Sequence, residues 1–287
     1  MKSVYTRELK SYFTSFMGYV FIAFIMLAVG IYSWFINFLN QSPNFEYVVY
    51  NLNFIFLIAV PIITMRVFTE EKKQKTDMLL YSLPLKSSEI VLGKFFALIT
   101  LMLISTVLIC ILPLILSIFG SISLMTSYST ITGFFLLGTA LISIGVFVSA
   151  ATDNQIVAAA TTFTVLFISY LSSTIANGIS TSAFSSFVSF CVISVLIALF
   201  AAIITKNISF GIIIACILCT VTVAIYLFFP TVMEGALQNT LQFISLFDRL
   251  SYFVTGVFDL TSVFYYLSIT VMFIVLSTLT LEKRRWC

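Results

Sequence analysis

RVFTEEKKQKTDMLLYSLPLKSSEIVLGK, residues 66–94, is the only long polar stretch near the middle spans of this chain of 287 residues. It holds Arg66, Lys72, Lys73, Lys75, Lys86 and Lys94, six of the fourteen Lys and Arg residues. Apolar runs flank it on both sides. An apolar run of about 20 residues crosses the hydrocarbon layer as a helix. Lys and Arg accumulate on the cytoplasmic side of membrane proteins. The stretch is therefore expected as a cytoplasmic loop between two spans, and it orients the rest of the chain.

The remaining basic residues agree with that orientation. Lys2, Arg7 and Lys10 precede the first apolar run, Lys206 separates two others, and Lys283, Arg284 and Arg285 lie at the end; only Arg249 falls outside the pattern. Apolar length predicts spans at 16–39, 53–67, 95–119, 130–150, 156–175, 184–205, 210–229 and 262–281. The even count returns the C-terminus to the cytoplasm. The expected fold is an all-α integral membrane protein, a polytopic helical bundle of about eight transmembrane helices in a single domain over 1–287. Pro61 and Pro113 lie within spans, where kinks are expected. Arg66 is expected at the inner boundary, with its side chain reaching toward the headgroups.

Composition supports this reading. The chain is 61% hydrophobic and 9% charged, with a mean hydropathy of +1.14. A soluble protein of this size needs a far larger charged surface. The net charge of +3 is spread among the spans, which suits anionic membrane lipid and implies no nucleic-acid partner. Histidine is absent, which removes the commonest general base and zinc ligand, and no metal site is expected. The five cysteines lie in apolar runs or at the last residue, so no disulfide framework is indicated. Cys216 and Cys219 read as two small apolar helix residues rather than a redox pair. The first apolar run is too long for a signal-peptide core and is expected to be retained.

Three polar segments outside the spans carry pattern. Within 66–94, Thr69 can cap a helix whose first turn holds Glu70 and Glu71. Met78, Leu79, Leu80 and Leu83 form an apolar cluster stopped by Pro84, and Ser87 or Ser88 followed by Glu89 starts the next helix. Such a short amphipathic helix can lie on the membrane, dock in a partner's groove, or be a solvated connection. The N-terminal segment places Val4, Tyr5, Leu9, Tyr12, Phe13 and Phe16 on helical spacing among Lys2, Arg7 and Lys10, the pattern of a helix in the membrane plane. Residues 230–261 are too polar to span, yet hold Leu246, Phe247, Leu250, Phe253, Val254, Val257 and Phe258 at helical spacing. They fit an outer-leaflet gate or a packing lid. Gly133, Gly138 and Gly145 let helix backbones approach closely.

Function classes narrow on what is missing. Gly93-Lys94 is followed by Phe95 and lacks the earlier glycine of a phosphate loop. An ion-coupled secondary transporter needs ionisable residues within its spans, and none lies mid-span. Acid–base chemistry has few candidates, so the chain is expected to be non-catalytic. A noncatalytic membrane scaffold or an ion-coupled transporter stands as the alternative.

Four stretches together carry a family resemblance: RELKSYFTSFMGYVF at 7–21, the polar stretch with its continuation to residue 97, TDNQIVAAA at 152–160, and SLFDRLSYFVTGVFDLTSVFYYLS at 245–268 with LEKRRW at 281–286. The chain resembles type-2 ABC exporter permeases, and its last stretch is similar to the gliding-motility subfamily. The resemblance implies an exporter subunit in the cytoplasmic membrane of a bacterium, with N- and C-termini inside. It implies a coupling helix at 70–83 that docks on a separate ATPase, with Glu70, Glu71, Lys72, Met78, Leu79 and Leu80 as contacts, and a second contact at Asp153, Asn154 and Gln155. Residues 1–15 would hold the elbow helix, with Arg7, Tyr12 and Phe13. Residues 230–261 would be the extracytoplasmic re-entrant segment, with Phe247, Leu250 and Phe253 at an outer gate, and 282–287 a cytoplasmic tail. No cofactor is implied in this chain; ATP and Mg2+ belong to the partner. Implied partners are two ABC ATPase subunits, a second copy or homologous permease, a membrane-anchored extracytoplasmic accessory subunit, and lipid. The family has six spans, so the pair over 184–229 would be an addition.

Overall fold

Apolar segments in lipid must satisfy every backbone group internally, and the helix does so within one segment. The computed structural model of the protein describes residues 1–75, 86–120, 122–205, 208–228 and 230–286, and every regular element among them is a helix. Among the described residues, six helices are long and apolar enough to cross a membrane: Met17–Leu39, Asn53–Lys73, Ser87–Ile118, Leu124–Ala151, Gln155–Gly178 and Leu260–Arg284. The chain forms two compact units, residues 1–168 with 249–287, and residues 169–248.

The first unit begins with α1 (Lys2–Thr14) and α2 (Met17–Ser33). Phe16 between them has φ 64, a left-handed residue that breaks the helix. A π-helical turn, Trp34–Leu39, prolongs α2. Then come α3 (Phe45–Asn51), α4 (Asn53–Thr64) and α5 (Arg66–Lys73). After the polar stretch follow α6 (Ser87–Ile109), α7 (Ile111–Phe119), α8 (Leu124–Ala151) and α9 (Gln155–Gly178). The division between the units falls within α9. Helices α14 (Leu250–Val254) and α15 (Leu260–Trp286) complete the first unit.

The second unit holds the rest of α9, then α10 (Ala183–Thr205), α11 (Ile208–Phe228), α12 (Pro230–Met233) and α13 (Ala236–Ile244). Helices α10 and α11 pack on each other, with Phe187 stacked on Tyr226 at 4.8 Å. Their fully described portions, Ala183–Val195 and Ile212–Tyr226, are apolar and short. Cys216 and Cys219 are free thiols.

Helix α8 is the centre of the first unit. It packs on α15, α6, α14, α4, α3 and α5. Its glycines mark the close approaches. A Cβ at Gly133 would lie 2.8 Å from Leu250 and Phe253, one at Gly138 would lie 2.6 Å from Met102, and one at Gly145 would overlap Thr64. Phe56 stacks on Phe134 at 4.4 Å across the same face.

Several expectations need correction. Thr69 does not cap a new helix. It is fully buried in the middle of α5, and its hydroxyl donates back to the Met65 carbonyl. The second span runs on through Arg66 to Lys73, because the polar residues 69–73 still fit a helix whose last turn holds Lys72 and Lys73 against the negative end of the dipole. The expected start of the next helix is met at Ser87, where Glu89 accepts the Lys86 backbone N–H at 3.3 Å. Helix α8 starts at Leu124 rather than 130, since Ser127 and Thr130 satisfy their hydroxyls on the preceding turn, at Ser123 and Thr126. Pro113 coincides with a break at Cys110 between α6 and α7: it has no N–H for the Ile109 carbonyl. Pro61 sits inside α4 without dividing it. Residues 282–286 are helical and continue α15.

Candidate functional site

Charged side chains from distant parts of the first unit meet at one end of its bundle. Lys94 lies in the second turn of α6 and is 2% exposed. Its ammonium donates to the Val67 carbonyl at 2.6 Å and pairs with Glu8 at 3.2 Å and Glu71 at 3.0 Å. The Phe68 ring lies 5.1 Å away. Arg7 pairs with the same two carboxylates, at 2.7 Å and 2.8 Å. Burial works against the Arg7 charge, but hydrogen bonding to Glu8 and the field of Glu8 and Glu71 outweigh it, so its pKa rises. A buried cation is tolerated only when paired and hydrogen-bonded, and these four groups meet that condition together. They tie α1, α5 and α6. Two further contacts hold α1 to α6: Val4 against Gly93, and the Tyr5 hydroxyl 3.0 Å from that of Thr100.

A second cluster adjoins the first through α5. The last carbonyls of a helix have no partners within it. Lys72 reaches those of α8, donating to Ala150 at 2.6 Å, Thr152 at 2.7 Å and Ser149 at 3.3 Å. Its side chain is 6% exposed, and Asp153 lies 3.6 Å from the ammonium. The Phe68 N–H donates to the Ser149 hydroxyl at 3.1 Å. Arg284 of α15 closes the other side, on Asp153 and on the Ala151 carbonyl at 3.1 Å. The Arg284 hydrogen bond holds the Asp153 carboxyl below its usual range, opposed by slight desolvation. Asn154 accepts the Ile156 N–H at 2.9 Å, capping α9 from within the turn. Helix α5 is thus fastened to α8 and, through the turn at 151–154, to α15.

A cavity of about 460 Å³ lies between α1, the α4–α5 span and α6, with Arg7, Tyr12, Arg66, Glu70 and Lys94 on its walls. Burial pushes the Tyr12 phenol far above its ordinary value, and the negative charges of Glu8, Glu70 and Glu71 push the same way. The hydroxyl is a neutral donor at all physiological pH.

The structure brings Arg7 and Glu71 into the first cluster and Lys72 and Asp153 into the second, with Glu70 and Tyr12 beside the first. Asp153 and Asn154 are exposed, whereas Lys72 is turned inward. Phe13 packs edge-on against Tyr19 at 5.3 Å. Met78, Leu79 and Leu80 lie outside the described residues. Leu250 and Phe253 are fully buried in the first unit; they seat on Gly133, and the Phe253 carbonyl accepts from Thr130 at 3.1 Å. Phe247 belongs to the second unit, edge-on to Tyr170 at 5.3 Å. Sequence reading missed Lys94, Glu8, Ser149 and Arg284. A lysine set between Val91-Leu92-Gly93 and Phe95-Phe96 was the available signal, because a cation with apolar neighbours on both sides needs a buried partner.

The family model described as ABC-2 family transporter protein matches residues 35–191. The chain belongs to the ABC-2 transporter family. Comparison with curated proteins and with solved structures gives no match. As an ABC-2 permease, the chain is a multi-pass membrane protein that serves as a membrane component of an ABC transporter. The match spans α3 to α9 and so includes α5 and the turn at 151–154, where the two charged clusters join.

Proposed function

We propose that this permease is an exporter subunit of a bacterial cytoplasmic membrane, driven by two separate ABC ATPase subunits. Residues 70–83 form its coupling segment, and Asp153, Asn154 and Gln155 a second contact. The charged end of the first unit then faces the cytoplasm, with both termini, as the distribution of Lys and Arg requires. Helix α1 is the elbow helix, lying along the membrane plane. Helices α10 and α11 add a seventh and eighth span, and the likeness of the last stretch supports membership of the gliding-motility subfamily, with a second permease and a membrane-anchored accessory subunit as partners. In the first unit, Leu250 and Phe253 serve at the outer gate. ATP and Mg2+ are bound by the partner ATPase.

The observation that carries this reading is Lys72. It fastens the start of the coupling segment to the end of α8, and Asp153 with Arg284 extends the link to α15. A push on residues 70–83 is therefore delivered to two membrane-spanning helices. Among the described residues, exposed Lys73, Gln74, Lys75, Asp153 and Asn154 are polar groups that a partner surface can meet. ATP-driven closure of the ATPase pair biases the permease only through contacts that differ between its two states.

Co-expression with adjacent ATPase subunits, followed by purification through a tag on this chain, tests the reading. A stoichiometric, ATP-hydrolysing complex is expected. Replacing Met78, Leu79 and Leu80 together with Ser should abolish recovery of the ATPase while membrane insertion persists. Unchanged recovery would remove the coupling assignment.

A further inference from the structure

Arg66 and Glu70 lie four residues apart on α5, on one helix face where opposite charges ordinarily pair. Among the described residues neither has an ion-pair partner, whereas Arg7, Lys94, Glu8 and Glu71 share one another. The Arg66 Nε is buried and has no hydrogen-bond partner. Both side chains line the cavity, as does Tyr12. A desolvated guanidinium nitrogen without an acceptor is costly, and an acceptor brought by a ligand would relieve it.

We propose that this cavity binds a zwitterionic headgroup in which a phosphate is joined to a primary ammonium. The phosphate takes the Arg66 guanidinium, whose planar fork of donors matches phosphate oxygens, together with the neutral Tyr12 hydroxyl. The ammonium takes the Glu70 carboxylate. The walls carry Arg7, Arg66 and Lys94 against Glu8, Glu70 and Glu71, so they are electrically balanced, and a neutral zwitterion keeps them so. A simple anion would add a net negative charge to these balanced walls and leave the Glu70 carboxylate without a cation.

Two apolar wall residues, Met17 and Ile63, extend the polar chamber where α2 begins. Phe16 and Tyr19 at the same break are 70% and 52% exposed, large aromatic surfaces of the kind that sit at a bilayer boundary. Phosphatidylethanolamine and soluble glycerophosphoethanolamine share this phosphodiester headgroup, and the apolar wall favours the lipid. The site does not depend on the transport reading, because lipid binding requires no ATPase.

The test uses the full chain, lipid-depleted in detergent, with native mass spectrometry of retained phosphatidylethanolamine and phosphatidylglycerol of equal acyl length. Phosphatidylethanolamine should be retained about tenfold more tightly, the worth of one charge-assisted hydrogen bond. Glu70→Gln should erase that preference, and Arg66→Gln should weaken retention of both lipids by about tenfold. Tyr12→Phe, which removes one hydroxyl and keeps the ring, should weaken both by about threefold and guards against a variant that fails to fold. Thermal unfolding of each variant separates binding from stability. Displacement of the lipid by excess glycerophosphoethanolamine would show that the headgroup alone is held; retention against it would show that the acyl chains contribute. Equal retention of the two lipids by the unaltered protein, or an unaltered preference in Glu70→Gln, would overturn the proposal.

Discussion

The two ends of α8 are held in different ways. At its C-terminal end, the carbonyls of Ser149, Ala150 and Thr152 are gathered by the Lys72 ammonium, and Asp153 just beyond is held by Arg284. Toward its other end and middle, contact is steric: Leu250 and Phe253 press on Gly133, and Met102 and Phe56 on Gly138. Steric packing tolerates little displacement, since a fraction of an ångström forfeits much of the attraction or meets hard overlap. A lysine with three carbonyl acceptors can exchange among them as the turn shifts. The charged end is therefore the more adjustable one, and it is the end where energy from outside the membrane is expected to enter. Gly145, opposite Thr64, belongs to the steric kind although it lies close to the ionic end.

The comparison is broken most severely where charge is buried. Lys94→Ala would take the buried cation from Glu8 and Glu71, and the Arg7 that also pairs with them has a side chain that is 51% exposed. Removing one partner of a buried ionic set costs about 3–5 kcal/mol, and the exposure of Arg7 places this case at the lower end. Thermal unfolding of the purified protein should fall accordingly, and low expression is expected. Next comes the steric side. Gly145→Val should cost about 1–3 kcal/mol through overpacking against Thr64, and pairing it with Thr64→Ala should recover part of that loss. If the pair is no better than the single variant, the close approach of α8 to α4 is not what limits stability.

The bundle and its charged end were legible because they rest on local features. Long apolar runs specify helices, and the distribution of Lys and Arg brings 66–94, the turn after the fourth span and the chain's ends to one side. Pairings were not legible. Glu8 and Lys94 are 86 residues apart, and their contact depends on how α1 packs on α6. The resemblance implies Lys72 as a contact for a partner; the orphan carbonyls that draw its ammonium inward lie 77 to 80 residues away. Thr69 looked like a helix cap, and was instead absorbed into a continuous helix because its hydroxyl could bond to the preceding turn. The division of the chain within α9 leaves no mark in the sequence, since the apolar run continues across it.

Lys72→Met sharpens the comparison at the ionic end. It keeps most of the side-chain volume and removes the donor. Charged hydrogen bonds are each worth about 1.5–3 kcal/mol, and water replaces part of that at a turn, so a loss of about 1.5 kcal/mol is expected. The more telling measurement is amide hydrogen exchange: protection at 149–153 should drop while that around Gly133 stays unchanged. A uniform drop would mean that the two ends are not held independently.

The smallest effect belongs to Asp153. Its side chain is 72% exposed, and exposed ion pairs contribute between nothing and about 1 kcal/mol. Asp153→Asn should therefore leave thermal stability almost unchanged at neutral pH. Because Arg284 depresses the folded-state pKa of Asp153 below the ordinary 3.8, whatever the carboxylate contributes is fully present above that ordinary value. It is lost only as pH falls through the depressed one. Stability curves of Asp153→Asn and of the unaltered protein should consequently run parallel above about pH 5 and converge in stronger acid. If they diverge near neutrality, Asp153 serves the turn through more than its pairing with Arg284. If they coincide throughout, then Lys72 and the Arg284 bond to the Ala151 carbonyl hold the end of α8 without it, leaving the Asp153 carboxylate available to a partner.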